Sequence, residues 1–199
     1  MKLHAIHEAI SLRDGTTVDI RALRPEDAPA LLEFFRGLTR EDRLYLRDDV
    51  TRPEFVQGFI ARADFETMIP LVAEEGGKVV GNATLYRTLH GWTVHVAQMR
   101  VAVSKACQRK GLGSELAKHL VKIAMDLGVD KMVVQVVDNQ KAARRAFEKL
   151  GFLQEAVLKD HVKDITGRKR DLVILSNDVS HIWESMASLA SDDMTNMDG

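Results

Sequence analysis

The sequence predicts an α/β protein of the α+β kind, with a mixed, mostly antiparallel sheet of about six to seven strands flanked by helices on both faces. Two observations lead to this prediction. Gly76 and Gly77 separate two strand-like segments, residues 69–75 and 78–89, which is a strong hairpin signal. Further along, two helical segments each lie between strand-like segments, as expected for connections that cover a sheet.

The first part of the chain alternates a strand with helices. β-branched residues predict a strand over residues 17–23, and Pro25-Glu26-Asp27 then predicts a helix start. Proline at the first helical position loses no hydrogen bond, and acidic side chains favour the positive end of the helix dipole. Apolar residues at helical spacing continue this helix to Leu38, and a second, shorter helix is expected over residues 53–63.

The second part carries the remaining strands. Residues 92–103 are expected to form one long strand that ends in an apolar run without alternation, as in a strand covered on both faces. Residues 111–113 lead into a helix that carries Leu116, Leu120, Ile123 and Leu127, and a short buried strand follows over residues 132–137. Another helix follows over residues 140–150. The last sheet elements are a strand pair over residues 152–162 and 168–175, and a final helix spans about residues 181–190.

Composition indicates one domain without a global charge. The 199 residues suit one core, so we expect an N-terminal extension over residues 1–16, a single domain over residues 17–180, and a C-terminal helix with a frayed acidic tail over residues 181–199. Lys plus Arg (28) nearly balances Asp plus Glu (29), which argues against nucleic acid or anionic membrane as a partner. The single cysteine, Cys107, excludes an intrachain disulfide and favours the cytoplasm. No apolar run approaches the roughly 20 residues of a membrane-spanning helix.

The segment Gln108-Arg109-Lys110-Gly111-Leu112-Gly113 lies between a strand and a helix. A helix N-terminus leaves N–H groups without partners, and glycines let a ligand come close to the backbone. The segment therefore predicts a cradle for an anion such as a diphosphate. A plain turn is the simplest alternative. A dinucleotide-binding loop needs a third glycine where this chain has Leu116, and no G-K-[ST] is present for a P-loop.

A second motif follows downstream. Asp138-Asn139 precedes a helix that ends Phe147-Glu148-Lys149-Leu150-Gly151-Phe152. With both motifs in this order, the chain resembles the GNAT superfamily of N-acetyltransferases over residues 18–175. Residues 12–44 are similar to the acetyltransferase domain of bacterial protein lysine acetyltransferases. The resemblance implies the GNAT fold and direct transfer of an acetyl group from acetyl-CoA to a primary amine, on a small molecule or a protein lysine.

The resemblance also implies where acetyl-CoA binds. Its pantetheine arm is expected to run beside the strand that ends at Val103, its pyrophosphate to lie on the loop amides, and Asn139 to contact the arm. Asn139 is also a suitable helix N-cap residue. The cofactor-binding residues implied in this way are Val101, Ala102, Val103, Gln108, Arg109, Lys110, Gly111, Leu112, Gly113, Ser114, Asn139 and Phe147.

The catalytic residues are left unassigned, because the chain departs from the family pattern twice. Relatives often carry Tyr where this chain has Phe147, which has no proton to give, and Glu where it has Gln98, which cannot act as a base. His95, Asp160 and His161 are alternative bases, although each fits a surface role better. Relay of the proton through water, with the rate coming from positioning, needs no dedicated base. No metal is expected.

Two other functions stay open. Phe147 and Gln98 favour a non-catalytic acyl-CoA sensor, and a plain interaction module would bind nothing at the glycine loop. A lone cysteine is more often a small buried hydrophobe than a nucleophile, which is the interpretation that we give Cys107. The expected partners are acetyl-CoA and an amine acceptor, and a homodimer through the later strands or the Trp183 helix is compatible with the sequence.

Overall fold

A mixed sheet of eight strands forms the centre of the molecule. The structure, a computed structural model, describes residues 6–46 and 48–195, with side chains up to residue 188. The strands are β1 (His7–Ser11), β2 (Thr17–Ala22), β3 (Met68–Glu75), β4 (Lys78–Arg87), β5 (Val96–Val103), β6 (Lys131–Val137), β7 (Leu153–Lys163) and β8 (Lys169–Asp178). They lie in the order β1-β2-β3-β4-β5-β6-β8-β7. Among the strand pairs of the described residues, only β5–β6 is parallel.

The described residues include six α-helices, and helices pack on both faces of the sheet. They are α1 (Ala28–Gly37), α2 (Arg40–Leu44), α3 (Pro53–Ala61), α4 (Leu112–Asp126), α5 (Lys141–Lys149) and α6 (Val179–Thr195). Helices α1 and α3 pack with one face of the sheet in a core that includes Phe35 and Phe59. Helices α4, α5 and α6 share the core of the other face, which includes Leu116, Phe152 and Ile182.

The residues of α4 show why this helix anchors the larger core. Leu116, Leu120 and Ile123 recur three or four residues apart and are all buried, so one apolar stripe faces the sheet. The helix begins at Leu112, directly after the glycine loop. Packing of this stripe therefore fixes the position of the loop relative to β5.

Two sequence predictions for the strands need correction. The strand predicted over residues 92–103 begins only at Val96, because residues 92–95 form a turn in which the His95 carbonyl accepts the amides of Asp130 and Lys131. Trp92 in this turn is 91% exposed. The sheet has eight strands, and the extra one is β1, whose mostly exposed residues show little apolar pattern.

The two ends of the predicted domain join the same fold. β1 lies within the segment predicted as an extension and pairs with β2, while residues 1–5 lie outside the described residues. Helix α6 packs against α4 and buries Ile182 and Met186. The predicted frayed tail lies partly in α6, and residues 196–199 are outside the described residues. Among the helices of the described part, none is long and apolar enough to span a bilayer.

Candidate active site

Strands β5 and β6 separate from each other halfway along their length. Their parallel pairing covers only three positions, Val96 with Lys131, Ala97 with Met132 and Gln98 with Val133. β5 continues to Val103 and stays paired with β4 on its other side. The end of β5 therefore has one edge that faces a gap instead of a neighbouring strand.

The direction of the backbone groups along this edge follows from the pairing. The amide of Ser104 donates to the Val80 carbonyl across β4, whereas the carbonyl of His95 accepts from Lys131 on the β6 side. Since amides along a strand alternate between its two edges, those of Val101 and Val103 face the gap. This edge can therefore bind an extended, amide-containing ligand as a further strand would bind.

The glycine loop closes the same end of β5. Gly111 has φ of +97° and Arg109 has φ of +63°, so the backbone turns sharply just before α4. Among the residues that the structure describes, no backbone carbonyl accepts the amides of Arg109, Lys110, Gly111, Leu112 and Gly113. Five successive free amides at the start of a 15-residue helix form a site that fits a diphosphate.

Two residues predicted for this cradle already have partners. The amide of Ser114 donates to the Gly111 carbonyl at 2.9 Å, so it belongs to the first turn of the helix. The Gln108 side chain donates to the Val103 carbonyl at 3.3 Å and ties the loop to the end of β5. Both residues lie at the loop, but the amide of Ser114 and the side chain of Gln108 already form hydrogen bonds within the protein.

The β1–β2 turn lies against the loop, a neighbourhood that sequence analysis missed. The amide of Arg13 donates to the Lys110 carbonyl at 3.1 Å, and the Arg13 side chain lies over Gly111. Lys110 forms a 2.8 Å ion pair with Asp14, and this hydrogen bond helps to lower the pKa of Asp14 to about 2. Arg13 and Arg109 have no ion-pair partner within the described residues and remain available to an anion.

Asn139 follows the end of β6 and contacts a segment from the opposite side of the sheet. Its amide donates to the Tyr45 hydroxyl at 2.8 Å and to the Glu41 carboxylate at 3.0 Å. Burial is the main cause that raises the pKa of Tyr45. The chain has only two tyrosines, and neither lies in a motif that the sequence singles out. Tyr45 was missed because it follows a charged segment that shows no readable pattern.

Phe147 packs inside the protein. It is buried on α5 and meets Phe152 edge to face, with ring centroids 5.6 Å apart. The ring therefore belongs to the core beneath the β6–α5 connection. It supplies apolar contact and no proton.

The three residues weighed as bases, His95, Asp160 and His161, are not brought together with one another or with Gln98. Gln98 is half-buried on β5 and lies across from Tyr86 on β4. His95 is exposed in the turn before β5, and Asp160 and His161 are exposed where the register of β7 shifts. Cys107 is buried, with its thiol 3.7 Å from the Glu75 carboxylate. No catalytic base emerges from this set.

A cleft opens on the face of the sheet that carries α1 and α3. Its volume is about 50 Å³, and we call it the α1–α3 cleft. Phe35, Phe55 and Phe59 form its apolar side. Thr84 and Tyr86 of β4 and Arg100, Val101 and Ala102 of β5 line the sheet side. The cleft therefore reaches the same stretch of β5 whose edge faces the gap.

Comparisons with known proteins agree with this geometry. Residues 32–152 match the model of the acetyltransferase (GNAT) family. The chain is 26% identical over 176 residues to "Putative phosphinothricin acetyltransferase YwnH" of Bacillus subtilis, covering 88% of this chain and 91% of that protein.

Two solved structures share the fold. The GNAT domain of S. lividans PAT superposes with a TM-score of 0.72 at 24% identity, over 86% of this chain and 96% of that one. The "Structure of yncA, a putative ACETYLTRANSFERASE from Salmonella typhimurium with its cofactor Acetyl-CoA" superposes with a TM-score of 0.68 at 22% identity, over 81% of this chain and 94% of that one. The specific similarity of residues 12–44 to protein lysine acetyltransferases stays a prediction.

The family match spans more than half of the chain, and the diverging strands with their anion cradle fit coenzyme A. The sheet and its helices have the GNAT fold. The chain belongs to the acetyltransferase (GNAT) family and is an N-acetyltransferase that uses acetyl-CoA.

Proposed function

We propose that the protein transfers the acetyl group directly to a primary amine that enters through the α1–α3 cleft. One observation carries the proposal. The amide of Val101 faces the β5–β6 gap, while Val101 and Ala102 also line the cleft. A donor held along the edge of β5 and an acceptor held in the cleft would therefore meet across the same two residues.

The reaction needs only atoms that these two substrates supply. The lone pair of the neutral amine attacks the thioester carbonyl carbon, the C–S bond breaks, and the nitrogen loses one proton. The thiolate takes up a proton and leaves as free CoA. No acyl-enzyme is required, which agrees with Cys107 being buried against Glu75.

The protein's main contribution in this proposal is positioning. The free amides at residues 109–113 hold the diphosphate, and the gap-facing amides of Val101 and Val103 hold the arm. An N–H group on the end of β5 also stabilises the charge that develops on the thioester oxygen. Since Gln98 cannot accept a proton, the amine loses its proton to water.

The test is a calorimetric titration with acetyl-CoA, with free CoA and NAD as comparators, followed by an assay of thiol release with primary amines. We expect saturable binding of acetyl-CoA but not of NAD, and release of CoA that depends on the amine. Ligand at 100 times its dissociation constant should add about 2.7 kcal/mol to the free energy of unfolding.

The alternative outcomes separate the competing functions. Tight binding of acetyl-CoA without thiol release for any amine would favour the acyl-CoA sensor, for which the lack of a hydroxyl on Phe147 is the supporting observation. No binding and no stabilisation would mean that the loop at residues 108–114 is only a turn.

A further inference from the structure

The charges that line the α1–α3 cleft are unequal. Among the described residues that line it, the carboxylate and guanidinium side chains are those of Asp48, Arg62 and Arg100, so two of these are cations and one is an anion. None of the three forms an ion pair within residues 6–46 and 48–195. A cleft with an unpaired excess of positive charge is suited to an anionic group.

Arg100 is held in a way that leaves its hydrogen-bond donors free. Its guanidinium carbon lies 4.9 Å from the centre of the Tyr86 ring, over the ring face. Within the described residues the guanidinium forms no hydrogen bond or ion pair, so its N–H groups remain available to a ligand. These N–H groups match the two oxygens of a carboxylate or a similar oxyanion.

Arg62 completes the cationic side from another element. It is the residue that directly follows α3, and its exposed side chain lines the cleft. Tyr86 lines the same cleft as both arginines and Asp48, and burial raises the pKa of its hydroxyl. Arg62, directly after α3, and Arg100, on β5, therefore reach one cleft from two different elements.

The cationic wall also bears on the chemistry. The ammonium of a lysine side chain brings only positive charge, which two arginines disfavour. An amine that also carries an anion gains a partner for that anion, while the nearby cations favour its neutral, reactive amine. This effect is useful where Gln98 leaves the strand without a base.

We propose that the acceptor is a small primary amine that also bears a carboxylate or a similar oxyanion, which Arg62 and Arg100 bind in the α1–α3 cleft. This inference rests on the proposed function, because it names the acceptor of the same transfer. The apolar side formed by Phe35, Phe55 and Phe59 holds the carbon chain between the two groups.

The experiment compares matched acceptors. Thiol release is measured with 5-aminopentanoate and its amide, with L-methionine and its amide, and with an uncharged peptide that contains one lysine, each rate corrected for the fraction of free amine. We expect kcat/KM for at least one acid to exceed that for its amide about tenfold or more. Equal rates for acid and amide, or a preference for the peptide, would overturn the inference and leave the proposed function intact.

Variants locate the effect. Arg62→Gln and Arg100→Gln should each reduce the acid-to-amide ratio of kcat/KM at least severalfold, whereas Arg52→Gln, at the other end of α3, should leave that ratio unchanged. A ratio unchanged in both cleft variants would contradict the inference. Calorimetry with the N-acetylated acid and amide in the presence of CoA gives a second measurement that needs no turnover. If acetyl-CoA binds but no amine releases CoA, the proposed function fails and this inference fails with it.

Discussion

The side-chain amide of Asn139 donates a 2.8 Å hydrogen bond to the hydroxyl of Tyr45, and so joins the end of β6 to the segment after α2. A hydrogen bond of this kind contributes about 0.5–1.5 kcal/mol net. We expect Tyr45→Phe and Asn139→Ala each to lower the free energy of unfolding by about that amount. Because both remove the same bond, the double variant should lose less than the sum. Chemical denaturation of all four proteins measures the coupling, and strict additivity would contradict it.

The backbone at Gly111 predicts a contrast between two neighbouring glycines. Gly111 has φ of +97°, where a side chain is strained, so Gly111→Ala should cost about 1–3 kcal/mol of stability. At Gly113 a Cβ atom would meet Val103 Cγ2 at 3.7 Å, an ordinary contact, and Gly113→Ala is therefore the matched control. Urea denaturation compares the two, and equal losses would show that φ at Gly111 is not the cause.

Arg13 is expected to contribute to binding of the cofactor, because its side chain lies over Gly111 and has no ion-pair partner among the described residues. Arg13→Gln should raise the Kd of acetyl-CoA about tenfold, equivalent to about 1.4 kcal/mol. Lys122→Gln, on the exposed side of α4, is the control and should not change it. Calorimetry at two salt concentrations tests this, since loss of a phosphate contact also reduces the dependence on salt. An unchanged Kd would exclude Arg13 from the site.

Asp14 should have the opposite effect. It pairs with Lys110, and its pKa of about 2 means that the carboxylate is charged throughout the neutral range. Asp14→Asn removes a negative charge from the edge of the cradle and frees Lys110, so the Kd of acetyl-CoA should fall. Calorimetric titration of this variant and of the wild type with acetyl-CoA tests the expected fall in Kd. A higher Kd would mean that the ion pair between Asp14 and Lys110 is needed to hold the loop.

Local signals predicted most of the sheet and the glycine loop. Gly76 and Gly77 mark a hairpin, and the apolar stripe of α4 fixes a helix directly after Gly111. The sequence does not show which segments meet across the sheet. Tyr45 reaches Asn139 and Arg13 reaches Gly111 only because the strands bring them together. β1 was missed for a similar reason, since an exposed edge strand needs little apolar pattern.

The buried ion pair between Arg21 and Asp27 predicts a dependence of stability on pH. Burial alone would raise the pKa of Asp27, but two 2.7 Å hydrogen bonds from Arg21 outweigh it and lower the pKa. A lowered pKa means that this stabilisation is complete above the unfolded value of about 3.9 and is lost as the pH falls toward the folded value.

Asp27→Asn leaves the Arg21 charge with only Glu74, so we expect a loss of about 3–5 kcal/mol at neutral pH. Asp19→Asn, on the exposed side of β2, should change stability by less than about 1 kcal/mol. Urea denaturation from pH 7 to pH 3 measures the free energy of unfolding of the wild type and of both variants. The gap between wild type and Asp27→Asn should narrow below about pH 4, and a constant gap would assign the loss to packing instead of charge.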